Sequence, residues 1–287
     1  QIMYAMGLDT ARRNADGAAP VLDKINEIKA VSNMNELSAM IAKLQKQGTR
    51  SFFGMYIGAD EKNSKMNLLQ FSQGGLSMGD RDYYLLDDET SVKIRTAYKE
   101  YMNKLFTLAG YAPEAAATST DAVIDLETQI AKISVDRAAL RDVHKNYNKM
   151  SVKDFVKKYN FINWDIYFKE VGVKSSTELN ASQVPFFEGI TKLLKNVKLD
   201  VMKEYLVFKL LNSASNYLSD DFVNANFQFF GKTVQGREEL QPLWKRSLAV
   251  VNRTLSDALG QKYVEKYFPA SSKEKMVEMV SNLQAAL

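Results

Sequence analysis

A mainly α, multi-helix domain with one small β-hairpin is the fold class this sequence predicts. Three observations predict it. From residue 90 onward, apolar residues recur at helical spacing almost without interruption. Two short runs rich in aromatic and β-tolerant residues, Ser51–Ile57 and Asn67–Gln73, break that pattern earlier in the chain. Prolines and glycines fall at element boundaries, and there is no internal repeat, low-complexity tract or long linker.

Taken in order, Ile2, Met3, Met6 and Leu8, with Arg12 and Arg13 behind them, read as a helix entered part-way. Ile2–Met6 is neither basic nor long enough for a signal peptide. Pro20 suits the first turn of a helix carrying Leu22, Ile25 and Ile28. Asn33 caps the next helix, with Glu36 closing a box-like pair. Leu37, Met40, Ile41 and Leu44 form one apolar face, and Gly48 ends it. The runs 51–57 and 67–73 form a hairpin or ribbon around the polar stretch Asp60–Lys65, followed by the turn Gly74–Gly79. Helices are then expected over about 90–109 and 120–134, and a short one begins at Ser151. Others fit about 163–171, 186–196, 200–217, 220–231, 242–266 and 272–286. The last runs to Leu287 without a terminator. Both ends read as cuts, so a piece of a longer protein is expected.

Composition excludes several chemistries. With 287 residues, 46% of them apolar and 25% charged, the chain can bury a sizeable core. No stretch approaches a membrane span. The net charge of +4 is small and its residues interspersed, which argues against a nucleic-acid partner. There is no cysteine, so disulfides, thiolate catalysis and Cys-ligated metals are excluded. The single histidine, His144, cannot supply a helix-borne zinc pair. It lies in the polar run Arg141–Asn146, where a solvated or locally hydrogen-bonded imidazole in a connection is the plain reading.

Other clusters read as structural. In Asp80-Arg81-Asp82-Tyr83-Tyr84 the carboxylates bracket a guanidinium. Arg81 is expected to be substantially buried and bonded to carboxylates or carbonyls near residues 74–90. The glycine turn before it lacks the Gly-Lys-Ser/Thr ending of a phosphate loop. Asp60–Phe71 fails as a calcium loop, with Lys62, Lys65 and Phe71 at the deciding positions. The aromatic groups Trp164–Phe168 and Phe227–Phe230 suit a core. Lys245-Arg246, after Trp244, reads as a solvated face or an internal ion pair. No catalytic, cofactor-binding or metal residue is assigned.

Several phrases, in order, resemble one family. Tyr4…Asn14-Ala15-Asp16-Gly17-Ala18-Ala19-Pro20-Val21-Leu22 is similar to the first helix-turn-helix of the neprilysin-like (neprilysin / endothelin-converting enzyme) zinc metallopeptidases. Tyr56–Ser64 is similar to their Asp-x-Lys-Asn-Ser hairpin, and Gln73–Tyr84 to their signature ending Arg-Asp-Tyr-Tyr. Tyr147-Asn148-Lys149-Met150 matches their Tyr-Asn-Lys-Met tetrad. Leu243-Trp244-Lys245-Arg246, then Ala258–Val264 and Phe268, resembles their Trp helix. The matches span about residues 4–287. Gly79 stands where the family has proline, and Met78 replaces an aliphatic residue. The cysteines of extracellular animal members are missing, which points to a bacterial-type member.

The resemblance implies a zinc enzyme that cuts peptides. It implies that the zinc ligands (H-E-x-x-H and a later glutamate) and the substrate-aligning Asn-Ala lie downstream of Leu287. The family's substrate-end arginines would precede Gln1. No catalytic or metal residue therefore maps onto this chain. Residues 1–287 would be the non-catalytic helical domain, a lid and size filter whose partners are its own catalytic domain and short peptides. Zinc would belong to the full-length enzyme, in an extracytoplasmic location. The rival reading is a stand-alone helical interaction module without chemistry.

Overall fold

The structure, a computed structural model, describes residues 1–174 and 176–287. The chain divides into two compact units, one of residues 1–12 with 239–287 and one of residues 13–238. Its helices begin with α1 (Ile2–Leu8), α2 (Thr10–Asp16), α3 (Ala19–Lys29) and α4 (Met34–Lys46). Asn33 starts α4 by accepting the N–H groups of Asn35 and Glu36 at 3.0 Å. Glu36 reaches back one residue further than the expected box, to the N–H of Ser32 at 2.8 Å. Next come α5 (Asp82–Leu85), α6 (Glu89–Leu108), α7 (Pro113–Ile133), α8 (Arg137–Leu140) and α9 (Val143–Asn146). They are followed by α10 (Val152–Lys158), α11 (Trp164–Val171), α12 (Val184–Leu194), α13 (Leu199–Ala214) and α14 (Asp220–Asn226). The α7 helix begins earlier than expected. Its first turns, Glu114–Thr118, are alanine-rich and carry no apolar stripe, yet Pro113 pre-sets their entry.

The expected hairpin is present, and it is half of a larger sheet. β1 (Phe53–Asp60) pairs antiparallel with β2 (Asn63–Gln73), placing Tyr56 opposite Gln70. The strands continue through the polar stretch expected as a connection, because Asp60 accepts the N–H of Lys62 at 2.9 Å and closes a tight tip. Two further strands, β3 (Lys149–Ser151) and β4 (Glu178–Ala181), complete the order β1-β2-β4-β3. The mainly α class with its hairpin stands, and two short strands extend that hairpin into a sheet. Strands of three and four residues show no readable alternation, and they form because the free edge of β2 offers a ladder to β4.

The core of the larger unit is aromatic. Phe71 of β2 meets Phe53, Phe155, Trp164, Phe168 and Phe187 at ring separations of 5.0–6.5 Å. Trp164 donates its indole N–H to the carbonyl of Tyr159 at 2.6 Å, so its one polar atom is satisfied. Around the other end, α6, α7 and α13 pack together. After α14 the expected single helix widens into a π-helix over Phe227–Val234. A Cβ on Gly231 would lie 2.3 Å from the Phe227 ring, which is why glycine fits there.

In the smaller unit α1 packs on α15 (Leu243–Thr254), with Gly7 against Ser247. The long helix expected over 242–266 breaks at Leu255 into α15 and α16 (Ser256–Tyr267). Pro269 then caps α17 (Ala270–Ala286). Neither α16 nor α17 buries a single residue.

Candidate functional site

The densest buried polar arrangement surrounds the turn Gly74–Gly79. Gly75 adopts φ +96°, a conformation open to glycine. Its carbonyl accepts the Tyr205 hydroxyl at 2.9 Å. Ser77 donates its hydroxyl to Glu127 at 2.7 Å and accepts the ammonium of Lys209 at 2.8 Å. Glu127 is fully buried on α7. Its other oxygen accepts Tyr84 at 2.7 Å and Tyr98 at 2.6 Å. The Tyr84 hydroxyl in turn accepts the N–H groups of Ser77 and Met78 at 3.1 Å. The hydrogen bonds close on one another. The cluster therefore locks the turn between α5, α6, α7 and α13, and it presents no free acid or base.

Neither Glu127 nor Lys209 was singled out from the sequence. The signal was available: Glu127 stands four residues after Val123 on the apolar face of its helix, and Lys209 interrupts the apolar run Leu206–Leu211. A charge on a buried stripe marks an internal partner.

Burial sets the protonation behaviour. Desolvation, then the charge of Glu127, pushes the phenols of Tyr84 and Tyr98 well above their ordinary range. Desolvation does the same to Tyr205 and raises Tyr101 to about 12. A phenol raised above its unfolded value of about 10 gives stability that is complete below that pH and lost as pH rises toward the folded value. Lys209 has the opposite sign. Desolvation lowers it against the pull of Glu127, so its penalty is relieved as pH rises toward the ordinary lysine value. That relief is complete near the ordinary lysine value, so above it only the phenols change the balance. The larger unit should therefore lose stability as pH climbs above about 10. Tyrosinate absorbance should appear together with loss of ellipticity. Full tyrosinate formation in a folded chain would contradict this.

The residues weighed from the sequence are scattered. Arg81 is half-buried, and its Nη1 donates to the carbonyl of Ser134 at 2.7 Å. That partner lies outside residues 74–90, a correction with a simple cause. Asp80 pairs instead with Arg137, and it also accepts the N–H of Asp82 at 3.0 Å. Arg81→Ala should cost about 1.5–3 kcal/mol, the worth of a charge-assisted bond, read as a shift in the denaturation midpoint. An unchanged midpoint would remove that bond from the account. Asp60 is buried, and it ties the hairpin tip to the next strand pair through Tyr147 at 2.9 Å and Lys149 at 3.2 Å. The backbone N–H of Lys62 is the main cause that holds its carboxyl below the usual range.

His144 is exposed on α9. Trp164, Tyr167 and Phe168 pack in the core, and Phe229 stacks on Tyr101 at 5.2 Å. Arg246 donates to the Gln241 carbonyl at 3.0 Å, and Lys245 sits over the Trp244 ring. Among the described residues no three His, Cys, Asp or Glu side chains gather to hold a metal. One histidine and no cysteine do not fit a catalytic zinc, so no step through a metal is derived for this chain.

Fold and polar cluster together define a helical domain whose buried polar groups are committed to packing. The chain belongs to Peptidase family M13, whose N-terminal family model matches residues 1–287. It is 27% identical to the endothelin-converting enzyme homolog of Locusta migratoria, over 94% of this chain and 40% of that protein. It is 28% identical to human endothelin-converting enzyme 1, over 83% of this chain and 31% of that protein. Among solved structures it is similar to the open state of the Mycobacterium tuberculosis zinc metalloprotease Zmp1. That match has a TM-score of 0.90 and 27% identity, covering 99% of this chain and 44% of the other. PepO from Lactobacillus rhamnosis shares the fold, with a TM-score of 0.82 at 20% identity, over 99% of this chain and 45% of that one. The chain thus spans less than half the length of these relatives. The family resemblance read from the sequence stands. No described helix is long and apolar enough to cross a membrane.

Proposed function

We propose that residues 1–287 form the non-catalytic, substrate-enclosing lid domain of a zinc metalloendopeptidase that hydrolyses short peptides. The zinc and its ligands would be carried by a part of the protein outside this chain, in an extracytoplasmic enzyme. The observation that supports this most is the smaller unit's uncovered surface. Helices α16 and α17 expose Leu259, Tyr263, Val264, Tyr267, Met276, Val277, Met279, Val280 and Leu283. In α17, residues 276, 280 and 283 repeat at the spacing of a packing seam. Tyr263 is 62% exposed and Leu283 58%. A helix pair this apolar and this bare is built to be covered.

The test expresses this chain and the remainder of its protein separately. Sedimentation of the mixture should show a complex. Short peptides should be cut by the complex and not by this chain alone, and a chelator should abolish the cutting. Large folded proteins should be cut more readily by the other half alone than by the complex. Tyr263→Ser with Val280→Ser should weaken the complex without lowering this chain's melting temperature, because both side chains are already exposed. A monomeric chain that ignores the other half would overturn the proposal in favour of a free-standing interaction module.

A further inference from the structure

A cavity of about 540 Å³ opens between the start of α4, residues 160–163 and the turn that joins α12 to α13. That volume lies in the range that holds a small organic ligand. Buried Phe161, Ile162, Leu194 and Met202 line it, with half-buried Val197 and Leu199 beside them. An apolar chain placed there would leave water for a surface that is already apolar.

The polar groups of the lining are biased toward donors. Lys195 is the only ionised side chain among them. It is exposed and has no ion-pair partner among the described residues. The side-chain oxygen of Asn163 accepts the N–H of Ile166 at 3.2 Å, and its amide donates to the side-chain oxygen of Asn35 at 2.9 Å. Both ends of Asn163 are thereby occupied, while the amide nitrogen of Asn35 stays free to donate. Asn160 is exposed, and its side chain has no partner among the described residues.

The surrounding charge has the same sign. Residues 192–203 carry Lys192, Lys195, Lys198 and Lys203 against one acid, Asp200, which pairs with Lys203 at 3.1 Å. Glu36, next to Asn35, accepts the N–H and the hydroxyl of Ser32 at 2.8 and 3.0 Å. Asp165, two residues after Asn163, lines a different cavity together with Lys169 and Lys174. That cavity mixes charge signs, as does the one lined by Glu100, Lys104 and Asp221. The α4/α12–α13 cavity offers a cation and amides without a carboxylate.

We propose that this cavity binds a small monocarboxylate with a hydrocarbon body, its carboxylate at Lys195 and its chain over Phe161, Ile162, Leu194 and Met202. The lining holds no carboxylate for an ammonium, which selects a monoacid over an amine or a short zwitterionic peptide. Such a ligand would tie together three segments far apart in sequence, so its binding should raise the melting temperature of the larger unit.

The experiment titrates octanoate, octylamine and leucyl-leucine into the whole 287-residue chain by calorimetry at low ionic strength, and follows melting with each. Octanoate should bind saturably, at least about tenfold more tightly than octylamine, and should raise the melting temperature. Lys195→Gln should lower octanoate affinity about fivefold, the worth of a partly solvated ion pair, without weakening octylamine. Val197→Trp should fill the cavity and remove the binding, with the melting curve kept because residue 197 lies in a turn. Should that variant fail to fold, Lys195→Glu serves instead, and it should reverse the preference toward octylamine. The chain with Tyr263→Ser and Val280→Ser should bind octanoate as the wild type does, and loss of binding there would move the site to α16 and α17. That loss would overturn the proposal, as would no saturable binding of octanoate, equal binding of octylamine, tighter binding of leucyl-leucine, or undiminished binding by folded Val197→Trp. The measurement needs no catalytic half, so its failure is separate from failure of the two-part assembly.

Discussion

Glu127→Ala should destabilise the larger unit by about 3–5 kcal/mol, the cost of removing one member of a buried ionic arrangement. The substitution leaves the hydroxyls of Tyr84 and Tyr98 without their acceptor and Lys209 without a counter-charge, all inside the core. For a unit of this size the loss corresponds to a fall of roughly 10 °C in melting temperature. Glu127→Gln should cost less, because it preserves shape and one acceptor oxygen. The decisive measurement is a double-mutant cycle. If Lys209 is held by Glu127 through Ser77, Lys209→Met should destabilise the wild type. The same change should be nearly neutral, or stabilising, in the Glu127→Gln background. Additive losses would show the two charges to be independent and would sink this account of the cluster.

Phe71→Ala should cost a similar amount, about 3–5 kcal/mol, for a different reason. Its ring is fully buried and touches five other rings from β1, α10, α11 and α12. Truncation leaves a void walled by rigid aromatics, which cannot collapse as flexible aliphatic side chains would. Phe71→Leu keeps most of the volume and should cost clearly less. Chemical denaturation at equilibrium separates the two, with an unchanged slope and a lower midpoint in each case. Equal losses for Ala and Leu would mean that ring contacts, rather than the void, carry the energy.

The exposed apolar surface of α16 and α17 bears on a plain question, whether periodicity in a sequence predicts burial. It predicts a face, and it does not say what covers that face. Leu259, Tyr263 and Tyr267 recur at four-residue spacing as core positions do, yet the chain leaves them bare. In the proposed function that face is the one another part of the protein covers.

Much of the helical order was legible from residues alone because its causes are local. Asn33, Asp88 and Ser151 cap helices by bonding N–H groups two or three residues on. Gly48 and Gly110 take the positive φ that follows a helix end. The aromatic groups at 164–168 and 227–230 read as core, and Trp164 and Phe229 are buried there. A local cause also explains the hairpin's tip, where Asp60 accepts the N–H of Lys62, whereas the register shifts between Ala59 and Asp60.

What the sequence by itself determined, then, is the mainly α class, most helix positions, the hairpin and the family phrases, all set by interactions within a few residues. Only the tertiary structure decided the rest. It extended Lys149–Ser151 and Glu178–Ala181 into strands by offering them the edge of β2. It broke the long helix at Leu255 and widened the one after Asn226 into a π-helix. It sent Arg81 to Ser134, 53 residues away, and Glu127 to Ser77, 50 residues away. The reason is physical. A buried charge or an isolated short strand is unfavourable until a distant partner arrives, and one sequence read along its length does not say which distant partner that is.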